Sequence, residues 1–137
     1  MKFLLDTSVV SQTVKAQPHS GVLQWWAERR EAELLISAVT IHELRYGIEL
    51  LHEGTRRREL EAWLTDRVLP DFAGRILPVD EAVADLSGRL LAREKKNKRT
   101  AEIDDVLIAA TASVHGLQVV TLNRTHFEGL GVKLVEF

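Results

Sequence analysis

Lys2-Phe3-Leu4-Leu5-Asp6-Thr7-Ser8-Val9-Val10 is the stretch on which the reading of this chain turns. A short apolar run stops on one carboxylate, and two hydroxyls follow it. Apolar runs of about 4–8 residues bounded by polar turn residues mark strands buried on both faces of a parallel sheet. In open α/β sheets ligands sit beyond the carboxyl ends of the strands, so Asp6 stands where a strand delivers a charge into a crevice. Asp, Ser and Thr are also good helix caps, and the stretch by itself leaves both readings open.

The chain has 137 residues, which predicts a single domain over 1–137 that needs no cross-links to hold its core. Hydrophobic residues at 45% and charged residues at 28% place it among ordinary soluble globular proteins. It has no cysteine, which excludes disulfides and thiolate metal sites and suits a reducing cytoplasm. The few apolar residues before Asp6 are too short for a signal peptide, and no run approaches the roughly 18 apolar residues of a membrane span. The net charge of −2 means that contact with nucleic acid needs a local basic patch.

Residues 2–5 read as the first strand and Ser8 to about Lys15 as a short helix ended by Gln17-Pro18-His19-Ser20-Gly21. Ser20 is expected to cap a helix from about Val22 to Ala32. Adjacent Trp25 and Trp26 cannot both point inward from it, so one is a partial surface contact or part of an interface. Leu34-Leu35-Ile36 is a second strand. Ile41, Leu44, Ile48 and Leu51 then recur at helical spacing, predicting a helix from near Thr40. Glu43, three residues after Thr40, closes a capping box in one reading and faces the same crevice as Asp6 in the other. Gly47 costs that helix about 1 kcal/mol relative to Ala, which favours a second backbone packed close to it.

Thr55 to about Leu69 reads as a charged helix ended by Pro70, with Arg56-Arg57-Arg58 as a solvated face. Arg75–Val79 is a third strand, placed near an edge by Pro78. Asp80 caps a helix from Glu81 to about Lys96. That helix runs into the basic stretch Arg93-Glu94-Lys95-Lys96-Asn97-Lys98-Arg99, which reads either as a solvated helix end or as the patch that a phosphodiester substrate requires. Glu102, Asp104 and Asp105 crowd the start of an Ala-rich helix closed by Gly116, more acids than a helix dipole calls for. Leu117–Leu122 is a fourth strand, Asn123–Phe127 a loop and Val132–Val135 a final strand.

This order predicts an α/β fold, three layers with helices on both faces of a mostly parallel sheet. Asp6, Glu43, Asp105 and Asn123 each fall just after a strand, or in the first turn of a helix near one, so four segments are expected to meet in one crevice. Three carboxylates at short range repel one another unless a cation lies between them. An all-oxygen set favours Mg²⁺ or Mn²⁺, and such ions support attack of water on phosphorus.

Leu4-Leu5-Asp6-Thr7-Ser8-Val9-Val10-Ser11, Glu43-Leu44-Arg45-Tyr46-Gly47, Asp105–Ala112 and Val120-Thr121-Leu122-Asn123-Arg124-Thr125-His126-Phe127 together resemble the PIN-domain ribonucleases, in particular the VapC-type toxins of bacterial toxin–antitoxin pairs. Each motif is weak alone. The four in order and spacing are specific, and they span nearly the whole chain. The resemblance implies a PIN-like fold and a Mg²⁺- or Mn²⁺-dependent endoribonuclease of the bacterial cytoplasm. It also implies a homodimer, inhibited by a small antitoxin whose tail occupies the active-site groove. By position, Asp6, Glu43 and Asp105 match the catalytic, metal-binding acids, and Asp104 lends charge beside them. Thr7 or Ser8 matches a supporting hydroxyl and Asn123 a polar residue at the rim. Lys95, Lys96, Lys98 and Arg99 are the candidate RNA contacts.

One position departs from the family pattern: an acid is frequent just before the last Phe, and here it is His126. An imidazole does not replace a carboxylate as a hard-ion ligand, which puts a second metal in doubt. His126 is left as a phosphate contact, a proton shuttle or a surface residue. A degenerate PIN fold that binds without catalysis is the rival reading, favoured by His126 alone. A haloacid-dehalogenase-type phosphatase also starts with strand–Asp–loop, but wants a second acid two residues on, where this chain has Ser8.

Overall fold

A computed structural model describes all 137 residues. Strands β1 (Phe3–Leu5), β2 (Leu34–Ser37), β3 (Ile76–Leu77) and β4 (Gln118–Val120) form one sheet in the order β3-β2-β1-β4. Every pairing is parallel. The helices are α1 (Thr7–Val10), α2 (Ser20–Ala27), α3 (Ala38–Glu49), α4 (Thr55–Trp63), α5 (Leu69–Asp71), α6 (Glu81–Lys96), α7 (Ile103–His115) and α8 (Arg124–Phe127).

Side chains alternate across a strand, and the sheet uses both faces. Phe3, Leu5, Ile36 and Val120 enter one core with Val9, Trp25, Leu44 and Leu64. Leu4 and Val119 enter a second with Val83, Leu90, Val106 and Ile108. The fold is therefore the expected three-layer α/β/α arrangement. From β1 the chain moves to β2 on one side and later returns to β4 on the other. The strand order thus reverses at β1, and a crevice opens beyond the carboxyl ends of β1 and β4. Asp6 is the residue that follows β1.

Several local expectations are displaced. His19, not Ser20, caps α2, its Nδ1 accepting the Val22 N–H at 3.1 Å. The helix stops at Ala27, because Arg30 and Glu33 begin a separate 3-10 turn over Glu31–Glu33. Ser37, not Thr40, caps α3 by accepting the Val39 N–H at 3.0 Å. Strand β2 passes into α3 with no loop between them, so the cap is the last strand residue. Glu43 then lies too deep in the helix for a capping box. Gly47 has no atom within 4 Å of where a Cβ would stand, so no backbone packs against it.

Pro70 does not end the helical stretch. A π turn over Leu64–Val68 precedes it, and α5 runs to Asp71. The wider turn accommodates a residue that cannot donate the usual helical N–H bond. Arg57 is no free surface charge, since it meets Glu49 at 2.5 Å and Glu61 at 3.1 Å. Residues expected as a loop after β4 form α8, and the final strand reduces to a single parallel bridge between Val119 and Leu134. Trp25 is buried against Phe3, while Trp26 is half-buried and lines an apolar cleft.

Candidate active site

Parallel strands place their carboxyl ends on one edge, and that edge gathers the polar residues singled out in the sequence. Asp6 is 3% exposed. Its Oδ2 accepts two hydroxyl protons, from Ser8 at 2.8 Å and from Thr121 at 2.7 Å. Both hydroxyls are themselves held, because Ser8 Oγ accepts the Leu122 N–H at 3.0 Å and Thr121 Oγ1 accepts the Asn123 N–H at 2.9 Å. Strand β4 is thereby bolted to the Asp6 carboxylate.

Glu43 enters from the second turn of α3. Thr7 donates its hydroxyl proton to Glu43 Oε1 at 2.6 Å and lies 3.0 Å from the buried Thr40 hydroxyl. Asp105 enters from the first turn of α7, where His126 Nδ1 of α8 lies 3.1 Å from its Oδ2. The three acids share one pattern. One oxygen of each is held by a neighbour, and no hydrogen bond reaches the other oxygen. Every fully buried side-chain oxygen has a partner, so these unbonded oxygens are not sealed in the core.

Burial first, and then the neighbouring charges of Asp104, Asp6 and Asp105, push the Glu43 carboxyl above the usual range against the opposing Thr7 hydrogen bond. Burial and then the charge of Asp6 push Asp105 up, and His126 opposes that shift. The acids therefore resist being ionised together, as like charges in one crevice must. No group of three Asp, Glu or His side chains stands, as arranged here, close enough together to hold an ion. An open set of free carboxylate oxygens suits a hard cation that keeps waters and takes further ligands from a phosphate.

Asn123 contributes through its backbone, while its side chain is exposed and makes no cap. Asp104 is half-buried and adds negative charge near Glu43. Lys95, Lys96 and Lys98 are exposed and unpaired. Arg99 is different, since it binds Glu94 at 2.5 Å. Sequence reasoning missed Thr121 as a site residue and read Thr40 as a cap. Thr121 carries a usable signal: it is the first polar residue after the apolar run of β4, as Asp6 is after β1.

The PIN domain model matches residues 3–131. The chain belongs to the PIN-domain family. Among relatives of this PIN domain, a VapC ribonuclease of Sinorhizobium fredii is 36% identical over 132 residues, covering 96% of this chain and 94% of that one. The tRNA(fMet)-specific endonuclease VapC of Shigella flexneri is 32% identical over 96% of this chain and 93% of its own. The crystal structure of FitAcB from Neisseria gonorrhoeae superposes with a TM-score of 0.89 at 36% identity, over 98% of this PIN domain and 96% of that chain.

Proposed function

We propose that this PIN domain, acting as one unit over residues 1–137, is a metal-dependent endoribonuclease and the toxin of a toxin–antitoxin pair. The observation that supports the reading is the shared pattern of Asp6, Glu43 and Asp105, each with one oxygen held by a neighbour and the other left without a hydrogen bond. Relatives called ribonuclease and endonuclease along nearly the full length support it.

In this reading Asp6, Glu43 and Asp105 hold Mg²⁺ or Mn²⁺, with Asp104 adding charge. Such an ion, when bound, offsets phosphate charge and makes water a stronger nucleophile at neutral pH. The protein's own groups orient and exclude. Ser8 and Thr121 fix the Asp6 carboxylate, Thr7 fixes Glu43 and His126 fixes Asp105, so the free oxygens stay aimed as RNA enters. Lys95, Lys96 and Lys98, at the end of α6, provide positive charge for the RNA backbone beside an otherwise acidic crevice.

The antitoxin belongs to the same proposal. Trp63, held by its Nε1–H donation to Thr13 at 3.2 Å, stands between two apolar clefts. One, of about 320 Å³, includes Trp26 and Phe72; the other, of about 230 Å³, includes Ile48 and Leu60 and reaches Glu43. An amphipathic segment laid along both would bring its polar end to the acidic crevice. The structure of a FitAB complex bound to DNA, 34% identical at a TM-score of 0.88, supports a protein partner. A homodimer acting in the bacterial cytoplasm completes the proposal. No helix is long and apolar enough to cross a membrane.

The test is cleavage of mixed tRNA and rRNA by purified protein with Mg²⁺, Mn²⁺ or EDTA, beside Asp6→Asn. Cleavage that needs both the metal and Asp6 is expected. Full activity of Asp6→Asn, or full activity in EDTA, overturns the proposal.

A further inference from the structure

Helix α6 buries Val83, Ser87, Leu90 and Glu94, which recur at the spacing of its inward stripe. Glu94 thus occupies a position where a Leu would continue the core, and it sits there 3% exposed among basic neighbours that are all in solvent. A lone carboxylate there is costly, and this one is paired. Arg99 Nε and Nη2 both reach Glu94 Oε2, at 2.9 and 2.5 Å, and the Arg99 backbone N–H donates to the Glu94 carbonyl at 2.9 Å. The chain turns back to make these bonds through Lys98, the one non-glycine residue with a left-handed backbone (φ 58°). That conformation is uncommon for a Lys and persists where the surroundings over-determine it.

A third segment closes on the pair. Gly129, in the turn after α8, has φ +83°, and a Cβ there would stand 3.4 Å from Glu94 Oε1 and 3.5 Å from Arg99 Nη2. Its carbonyl accepts from Arg93 Nη2 at 3.1 Å. Arg99 leads in six residues to Asp105, and Gly129 lies three residues beyond His126. Glu94, Arg99, Asp105 and His126 all line one polar pocket of about 210 Å³.

We infer that the Glu94–Arg99 pair is a positioning device for the acidic site: it ties the loop entering α7 to the end of α6, with the turn leaving α8 packed against it and bonded to Arg93, and so fixes the Asp105–His126 contact. An ion pair with one partner buried is a poor source of stability, because taking the carboxylate out of water offsets much of the attraction. What it adds is directional. Two guanidinium N–H groups converging on one carboxylate oxygen set distance and orientation together, which a Leu on the same stripe would not do. The kinetic and Mn²⁺ readouts of this inference rest on the nuclease proposal, and the Asp105–His126 geometry does not.

The test compares wild type with Glu94→Gln, Arg99→Lys and the double variant Glu94→Met/Arg99→Met. Melting temperature, Mn²⁺ affinity by titration, the nitrogen resonances of the His126 ring (assigned with His126→Ala) and RNA cleavage are measured on each. The double variant is expected to fold, with its His126 ring signals moved from the Asp105-bound position and Mn²⁺ affinity lowered about 10- to 100-fold, the usual effect of removing a ligand's support. Its kcat is expected to fall with KM for RNA unchanged. Arg99→Lys, which keeps the charge but not the paired N–H geometry, is expected to lose part of both, and so is Glu94→Gln. Wild-type ring signals and Mn²⁺ affinity in a folded double variant overturn the inference. So does a raised KM at unchanged kcat, which would make Arg99 an RNA contact. If the double variant does not fold, Glu94→Gln and Arg99→Lys decide by the same readouts. Wild-type protein that cleaves no RNA fails the nuclease proposal, while the ring resonances still decide the positioning role.

Discussion

His126 Nδ1 lies 3.1 Å from Asp105 Oδ2. Where PIN ribonucleases often have another acid, this chain has a ring nitrogen bonded to an acid it already has. That contact opposes the upward push of burial and of Asp6 on Asp105 and orients its carboxylate. Replacing the ring with Ala is expected to lower RNA cleavage about 10-fold, at the lower end of effects from residues that support a ligand. Asn places an amide nitrogen near the position of Nδ1, so His126→Asn is expected to recover most of the loss. Cleavage rates of the two variants at one Mn²⁺ concentration check this, and equal losses would count against it.

Thr121 is fully buried and donates to Asp6 Oδ2 at 2.7 Å. Thr121→Val keeps the shape and removes the donor. It also leaves the Asn123 N–H without its acceptor. A hydrogen bond to a charged group contributes about 1.5–3 kcal/mol, and a loss of about 2 kcal/mol in urea denaturation is expected. Activity is expected to fall further than in Ser8→Ala, because the Ser8 hydroxyl is only part-buried and water can take its place.

Burial and like charge raise the carboxyls of both Glu43 and Asp105 in the folded protein. The native state then holds more protons than the unfolded chain between the ordinary carboxylate range and the raised values. Through that window the contribution of these groups to stability falls as pH rises. Below it, with the groups protonated in both states, the penalty is gone. Asp105→Asn is therefore expected to melt higher than wild type in EDTA at neutral pH, with the gap closing as pH falls toward 4. Melting curves across pH check the sign. A variant less stable than wild type at pH 7 in EDTA would contradict the argument.

Lys95, Lys96 and Lys98 are exposed and unpaired, while Arg99 is committed to Glu94. Replacing the three lysines with Ala is expected to weaken RNA binding and to flatten its salt dependence. At roughly 0.7 per phosphate contact on single strands, the slope of log K against log salt should fall by about 2. Binding isotherms on catalytically inactive Asp6→Asn protein, at three or more salt concentrations, provide the measurement.

The two partners of the Glu94–Arg99 ion pair should not be equivalent. The Arg99 side chain is 51% exposed and that of Glu94 only 4%. Arg99→Ala leaves a carboxylate in the core without its cation, whereas Glu94→Gln leaves a guanidinium that water can solvate. Arg99→Ala is expected to lower the melting temperature more than Glu94→Gln does, and the reverse order would show that Glu94 draws its support from elsewhere.

Much of this was decided by local chemistry and was readable in the chain. Apolar runs ending at Asp6 and Ser37 set the first two strands, because continuous apolar runs are what doubly covered parallel strands require. Gly116 closed α7 with φ 66° and Asp80 capped α6, since each satisfies groups within a few residues of itself. The acids Asp6, Glu43 and Asp105 were legible because each follows a strand or lies in the first two turns of a helix near one, and parallel topology brings those points to one edge.

Other features depend on partners distant in sequence, and no local pattern announces them. Glu43 looked like half of a capping box until β2 ran straight into α3 and gave the cap to Ser37. Thr121 became a support for Asp6 only because β4 pairs with β1, 115 residues away along the chain. Glu94 looked like one acid in a basic surface run, and tertiary packing turned it inward. By itself the sequence determined which residues carry charge to the crevice. The tertiary structure decided which oxygen of each carboxylate is held and which is free, because that choice belongs to hydrogen bonds between segments that meet only when the sheet is formed.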